Sequence, residues 1–234
     1  MQIASRHIHW NAPLPSATRL IVRAEPAAMT VRIAGGFLAP GSTGATVRWG
    51  DGTVTRYPWP KNLSHAYARP GEYTVEISDD LESFAFAAYD WTAAERGALA
   101  EFLTCGDKVG RIDVYGFNCC GRMRGKISLS NVTEVDSYAF GSCGRITDIE
   151  LPSVSILQPT PFYYGCTATA LYADGATVVG GSFFDYYGPN LVDLYLRSLT
   201  CSQIRRMGGF PFRAGGHVRF HGSDGVIDRD GRNV

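Results

Sequence analysis

Residues 127–143 carry the sequence ISLSNVTEVDSYAFGSC, and its apolar positions recur along the chain. The apolar-x-apolar triplet at 127–129 reappears at 149–151, 171–173 and 194–196, in steps of 22, 22 and 23 residues. Phenylalanine and cysteine recur at the same spacing of 22 or 23 residues. The phenylalanines are Phe117, Phe140, Phe162 and Phe184, and the cysteines are Cys120, Cys143 and Cys166. Such a period is typical of a solenoid, in which each repeat buries its apolar side against the next. We therefore expect a right-handed stack of short parallel strands, centred on Leu129, Leu151, Tyr172 and Leu196.

The pattern I-x-L-x-x-V-x-x-V-x-x-x-A-F-x-x-C over 127–143 is similar to the bacterial BspA-type leucine-rich repeats. The resemblance extends over about residues 109–200, and it departs from the family in the third unit, where Ala173 and Gly188 stand for Leu and Cys. It implies ligand or host contact by a solenoid displayed on a surface, with no catalytic residues.

The first 90 residues have a different texture, with short apolar segments separated by turns. The run Trp49-Gly50-Asp51-Gly52-Thr53 is followed by His65-Ala66-Tyr67 and Pro70-Gly71-Glu72-Tyr73-Thr74-Val75. Together they resemble the PKD domain over about residues 15–90, which implies an Ig-like β-sandwich that serves as a spacer or protein-contact module. We expect the antiparallel sandwich over about residues 5–90. Asp-Gly sequences also favour tight hairpins on their own physical grounds.

Between these halves the period changes to that of a helix. Thr92 and Glu95 form a capping-box pattern, and Leu99, Phe102 and Leu103 give an apolar stripe, so we expect a capping helix over 92–104. Thr200–Met207 is expected to begin a C-terminal cap, with Ile204 and Met207 inward and a hairpin tail. The predicted fold is thus mainly β, with a PKD-like sandwich at 1–90 and a leucine-rich solenoid with its caps at 91–234.

Composition excludes several classes of function. Lys plus Arg and Asp plus Glu both number 22, so the basic footprint of a nucleic-acid binder is missing. No apolar run approaches the roughly 18 residues of a membrane span, and residues 1–10 show no secretory signal. Because the known catalytic motifs are absent from the sequence, we expect no enzyme, and a hydrolase with an unrecognised site is the alternative.

Metal and redox chemistry are not favoured either. Cys120, Cys143 and Cys166 occupy one repeat position and are expected to be reduced core thiols. His7 with His9, and His217 with His221, are pairs that nothing in the sequence brings together, while His65 belongs to the PKD-like motif. Asp224–Gly231 lacks the final acidic position of a calcium loop and is interpreted as a tight hairpin turn. We therefore expect neither a metal ion nor a cofactor.

A binding surface is predicted where the repeated strands turn side chains outward. Residues between inward apolar positions lie on the exposed face of the sheet. Three columns follow, listed in chain order: Ser128, Glu150, Tyr172 and Tyr195; Lys126, Asp148, Ala170 and Asp193; and Ser130, Pro152, Asp174 and Arg197. Ordinary solvated strand positions remain the alternative.

The sequence favours a non-enzymatic protein-binding or adhesion module, whose resemblances imply an extracellular, cell-surface or virion location. A carbohydrate-binding module is the alternative, motivated by the aromatic runs Phe162-Tyr163-Tyr164 and Phe183-Phe184-Asp185-Tyr186-Tyr187. The ligand, a protein or a glycan, is not identified by the sequence.

Overall fold

The structure, a computed structural model, describes residues 13–162, 166–180, 192–207 and 218–234. These residues form a mainly β fold with a β-solenoid of about four turns. The elements of the first half are β1 (Thr18–Ala24), β2 (Thr30–Gly35), β3 (Ala45–Arg48), β4 (Val54–Tyr57), β5 (Lys61–Ala66), β6 (Gly71–Ile77), β7 (Ser83–Phe84), α1 (Ala93–Arg96) and β8 (Leu99–Thr104). 

Two antiparallel sheets form in the first half of the chain. One has the order β4-β3-β6-β1-β8, and the other pairs β2 with β5. Alternation sets the buried face of each strand, since residues two apart point to the same side. Leu20, Val22 and Val75 of the larger sheet pack in one core with Val31 and Leu63 of the smaller sheet.

The residues that suggested a PKD domain meet in one cluster. The Trp49 ring is fully buried, and His65 stacks on it at 5.0 Å. Nε2 of His65 lies 2.7 Å from a carboxylate oxygen of Asp51. The hydroxyl of Tyr67 donates to the carbonyl of Trp49 at 2.8 Å, and the Tyr67 ring stacks on Tyr73 at 3.9 Å. These contacts make the cluster part of the packing of the first half, with His65 partly buried in it.

The helix predicted over 92–104 is wrong in extent. The capping box at Thr92 and Glu95 forms, but α1 ends at Arg96 with Gly97 as its C-cap. Leu99–Thr104 is instead the strand β8, which pairs with the edge of β1 and sets Leu99 opposite Val22. The apolar spacing suits either element, and the free edge of β1 decides between them. Leu103, expected in the apolar stripe, is exposed.

The second half forms two mainly parallel sheets, in which only β18 runs antiparallel to its neighbour, β17, among the described residues. Its elements are β9 (Arg111–Ile112), β10 (Arg124–Ser128), β11 (Glu134–Val135), β12 (Arg145–Glu150), β13 (Ile156–Leu157), β14 (Ala170–Tyr172), β15 (Val178–Val179), β16 (Asp193–Tyr195), α2 (Cys201–Arg205), β17 (Arg219–Gly222) and β18 (Gly225–Asp228). We call the sheet β10-β12-β14-β16-β17-β18 the first solenoid sheet and the sheet β15-β13-β11-β9-β7 the second solenoid sheet. Within the described ranges, neither helix has the length needed to cross a bilayer.

Repeat register is as the sequence predicts. Ile127 pairs with Ile149, Ile149 with Leu171 and Leu171 with Leu194, all in parallel strands. The predicted strand centres are wrong by a few residues: Leu129, Leu151 and Leu196 each lie one residue after the end of their strand, and Tyr172 is the last residue of β14. At the C-terminal end, α2 buries Ile204 fully, as the predicted cap requires.

The domain boundary predicted between residues 90 and 91 stays a prediction. Two strands pair with sheets on the opposite side of it. β7 leaves the first half to pair in parallel with β9 of the second solenoid sheet. β8 comes after that boundary yet joins the antiparallel sheet through β1. Arg124 of β10 reinforces this connection, because its Nε lies 2.6 Å from Glu101 of β8.

Five phenylalanine rings pack in succession through the core, and we call them the phenylalanine ladder: Phe84, Phe102, Phe117, Phe140 and Phe162. Phe117 and Phe140 stack at 5.3 Å, and Phe140 and Phe162 at 5.5 Å. Phe84 and Phe102 approach Phe117 at 5.9 and 5.0 Å. The ladder therefore continues from the solenoid into the antiparallel half. Phe184 lies outside the described residues.

The repeated thiols line the same core. Cys120, Cys143 and Cys166 are fully buried and reduced, as predicted. Sγ of Cys143 donates to the carbonyl of Phe117 at 3.0 Å, which connects neighbouring turns. Burial raises the pKa of the Cys143 thiol well above its ordinary value, so the group stays protonated and acts as a small hydrophobe.

Phe140→Ala should destabilise the protein by about 3–5 kcal/mol, because it leaves a cavity between two stacked rings. Urea unfolding followed by circular dichroism measures this free energy. Val178→Ala is the control, since Val178 is 55% exposed and its truncation should change stability by less than about 0.5 kcal/mol. Equal, small effects of the two substitutions contradict the role given to the ladder.

Candidate functional site

The first solenoid sheet brings the predicted central column together. Ser128 lies opposite Glu150, Glu150 opposite Tyr172, and Tyr172 opposite Tyr195. One further strand continues the column, because Tyr195 pairs with His221 of β17. All five side chains belong to one face, which we call the open face.

Three rings of this column form a continuous stack. Tyr172 and Tyr195 are 4.6 Å apart and inclined by 5°, and Tyr195 and His221 are 4.2 Å apart and inclined by 15°. In-register strands lie about 4.8 Å apart, so equivalent rings meet face to face. The backbone register thus fixes the stack, in which Tyr172 and His221 pack against the two faces of Tyr195.

Arg197 is positioned beside the stack by a residue of the preceding turn. Its guanidinium lies 4.8 Å from the centre of the Tyr195 ring. Nη1 donates to Oδ2 of Asp174 at 3.1 Å, and the backbone N–H of Arg197 donates to Oδ1 at 3.2 Å. Asp174 therefore orients an exposed cation over an aromatic ring. Ser130 and Pro152, the earlier members of that column, are exposed.

The column that begins at Lys126 is less regular than predicted. The pairing of β10 with β12 shifts between Gly125 and Ile127, and Gly125 adopts a positive φ of 90°. Nζ of Lys126 consequently reaches Glu150, at 2.5 Å, rather than a residue of its own column. Asp148, Ala170 and Asp193 do pair in sequence, but Ala170 is buried and offers little surface.

Asp193 organises the C-terminal end of the open face. Arg219 contacts it with two nitrogens, Nε to Oδ1 and Nη2 to Oδ2, both at 2.9 Å. Nε2 of His221 lies 2.7 Å from Oδ1. Burial opposes ionisation, but the hydrogen bonds to Arg219 and His221 outweigh it and lower the pKa of Asp193. Burial and the nearby Asp193 charge both raise the pKa of Tyr195.

Sequence reasoning missed His221 and Arg219 as members of this face. Tyr195 and His221 are 26 residues apart, which breaks the repeat step of 22 or 23. The sequence offers His221 only as a candidate metal ligand with His217, whereas the structure stacks it on Tyr195. A signal was available, because Val218-Arg219-Phe220-His221 repeats the polarity of Val192-Asp193-Leu194-Tyr195.

The other candidate sites are resolved as follows. His7, His9, His217, Tyr163, Tyr164 and residues 183–188 lie outside the described residues. In the part of the chain that the structure describes, no three His, Cys, Asp or Glu side chains cluster in a way that could hold a metal ion. The prediction of one tight turn over Asp224–Gly231 is correct only in part: Asp224 lies in the tight turn between β17 and β18, and Gly225–Asp228 is the strand β18. A second turn follows, in which Oδ1 of Asp228 accepts the backbone N–H groups of Asp230 and Arg232.

This chain was compared with known proteins in three ways. A scan of protein-family models, a search of curated proteins and a search of solved structures each found no match. Function must therefore be inferred from the geometry of this chain.

Asp193→Asn should lower stability at neutral pH by up to about 1 kcal/mol, since its partners are partly solvated. A carboxyl whose pKa falls on folding stabilises the protein above its unfolded pKa of about 3.9, and this contribution disappears as the pH falls through the folded pKa. The difference between variant and wild type should thus shrink on acidification. Urea unfolding between about pH 7 and about pH 3 measures it.

Arg219→Gln removes the cationic partner of the same ion pair, so this variant should show the same pH dependence of its stability difference. A stability difference that stays constant over the whole pH range rules out the ionised Asp193 as its source.

Proposed function

We propose that this chain is a non-enzymatic protein-binding module that engages its partner through the open face. The observation that carries the proposal is the stack of Tyr172, Tyr195 and His221, flanked by Arg197. Aromatic residues and arginine are the side chains that most often anchor protein interfaces. The three rings lie on strands β14, β16 and β17, and Arg197, in the turn after β16, is held by Asp174, so little side-chain entropy remains to be lost on binding.

The charges around the stack suit the rim of an interface. Lys126 pairs with Glu150, Arg197 with Asp174, and Arg219 with Asp193. Each pair is partly exposed, and such pairs contribute more to specificity and association rate than to affinity. The arrangement is an aromatic centre with a polar periphery, which is the usual anatomy of a protein–protein contact.

The resemblances extend this proposal to a biological setting. A PKD-like sandwich that presents a BspA-type leucine-rich solenoid fits adhesion at a bacterial surface or on a phage particle. The β-solenoid of about four turns supports it, since solenoids offer extended binding surfaces.

A carbohydrate-binding function at the open face is the weaker candidate. Sugars stack on open aromatic faces, but Tyr195 has Tyr172 against one face and His221 against the other. Among the aromatic runs that suggested a sugar ligand, Phe162 is buried in the phenylalanine ladder. A glycan array on the full chain, with Tyr195→Ala as the comparison, tests this alternative directly.

Tyr172→Ala and Tyr195→Ala should each weaken partner binding by about 2 kcal/mol if these rings are anchors. Proteins retained by the immobilised wild-type chain but not by the double variant are the candidate partners. Titration of a purified candidate against each single variant then gives the free-energy change.

Tyr172→Phe is the matched control, since it keeps the stacked ring and should bind almost as well as the wild type. Equal affinity of the wild type and the double variant, with unchanged circular dichroism, moves the site away from the open face.

A further inference from the structure

A second surface feature lies between the β2–β5 sheet and the second solenoid sheet. It is a cleft of about 550 Å³, and its lining includes Phe37, Lys61, Tyr89, Arg111, Tyr115 and Asp136. This volume is within the roughly 300–1,000 Å³ of small-molecule sites. The open face is on the other solenoid sheet, so the function proposed above leaves the cleft unexplained.

Two aromatic side chains on the cleft are exposed to solvent. Tyr89 is 73% exposed and Phe37 is 41% exposed. Tyr89 lies 5.1 Å from Tyr115, which stacks on Tyr138 at 5.2 Å and 13°. Tyr115 thus contacts two rings, with Tyr89 inclined to it by 43° rather than stacked, and Tyr89 ends the series with most of its side chain exposed. An open tyrosine on a preformed support is a stacking platform for an apolar ligand surface.

The backbone under this platform is unusual in a repeated way. Tyr115 and Tyr138 have positive φ angles of 61° and 60°, a conformation that costs L-residues about 1–2 kcal/mol. Hydrogen bonds between successive turns hold them there, from the N–H of Tyr115 to Ser137 and from that of Tyr138 to Thr160. The two rings therefore keep a fixed position beside the cleft.

Polar groups on the cleft combine donors and acceptors. Lys61 lies over the Phe37 ring at 3.7 Å, and Nε of Arg111 donates to Asp113 at 3.0 Å. The same nitrogen is 3.9 Å from Oδ2 of Asp136, which is beyond hydrogen-bond distance. Burial, with Glu134 and Asp113 adding to it and Arg111 opposing, raises the pKa of Asp136. The backbone N–H of Ser137 already hydrogen-bonds to this carboxylate, whose other lone pairs can accept a further donor from a ligand.

These features select the ligand class. Lys61 and Arg111 balance Asp113 and Asp136, so the cleft favours an uncharged ligand. Sugar hydroxyls both donate and accept hydrogen bonds, and therefore match a cleft that offers carboxylates beside cationic donors. A proline-rich peptide also suits aromatic grooves, but its carbonyls only accept. It would bury Asp136 without supplying a donor.

We propose that this cleft binds a neutral oligosaccharide, with a sugar ring stacked on Tyr89 and its hydroxyls hydrogen-bonded to Asp136 and Arg111. The site is independent of the open face and of the protein partner proposed for it.

The test is titration calorimetry on the full chain. The probes are neutral tetrasaccharides of glucose, mannose, xylose and N-acetylglucosamine, with tetragalacturonate and decaproline as comparators. At least one neutral probe should bind with a millimolar or lower Kd. Tyr89→Ala should weaken that binding by about tenfold or more, which corresponds to about 1.4 kcal/mol. Asp136→Asn should weaken it to a similar degree.

Two variants serve as controls. Tyr89→Phe keeps the ring and should retain binding, and Tyr195→Ala on the open face should leave it unchanged. The proposal is overturned if no neutral probe binds, if tetragalacturonate or decaproline binds more tightly than all neutral probes, or if Tyr89→Ala binds like the wild type. Loss of saccharide binding in Tyr195→Ala alone overturns it too, by moving sugar recognition to the open face.

Discussion

Stacking of identical rings from one turn to the next is the constraint on which the rest of this structure depends. Phe117, Phe140 and Phe162 meet at 5.3 and 5.5 Å, close to the spacing of neighbouring strands. A turn one residue out of register would place a small or polar side chain between two rings. Packing at this point thus sets the register of both solenoid sheets, and the outward positions follow from it.

The same ladder explains how a short solenoid is joined to an antiparallel fold. Phe84 belongs to β7 and Phe102 to β8, the two strands exchanged across the predicted boundary, and both rings pack against Phe117. A repeat array exposes an apolar end that requires a cap. In this chain the cap is the antiparallel sheet itself, rather than the three-turn helix that the apolar spacing suggested.

Features repeated within the sequence were predictable, and features set by distant contacts were not. The triplets at 127–129 and 149–151 predicted the parallel pairing of Ile127 with Ile149. A repeat can be recognised from the local sequence alone, because equivalent positions recur at a constant spacing. The stripe from Leu99 to Phe102 suited a helix or a strand, and the free edge of β1, about 80 residues earlier, settled the choice. The shift at Gly125, which redirects Lys126 to Glu150, depends likewise on pairing that no local pattern encodes.

Both candidate surfaces arise from one property of the repeat. Each turn contributes one outward side chain at a given position, so aromatic residues at that position in successive turns stack on each other. Tyr172 with Tyr195 forms such a stack on the first solenoid sheet, and Tyr115 with Tyr138 forms one beside the second. Their neighbours then decide their chemistry. His221 covers the second face of Tyr195 and Arg197 lies beside that ring, which leaves ring edges and charges for a protein to contact, whereas Tyr89 ends the second series with an exposed ring at a cleft.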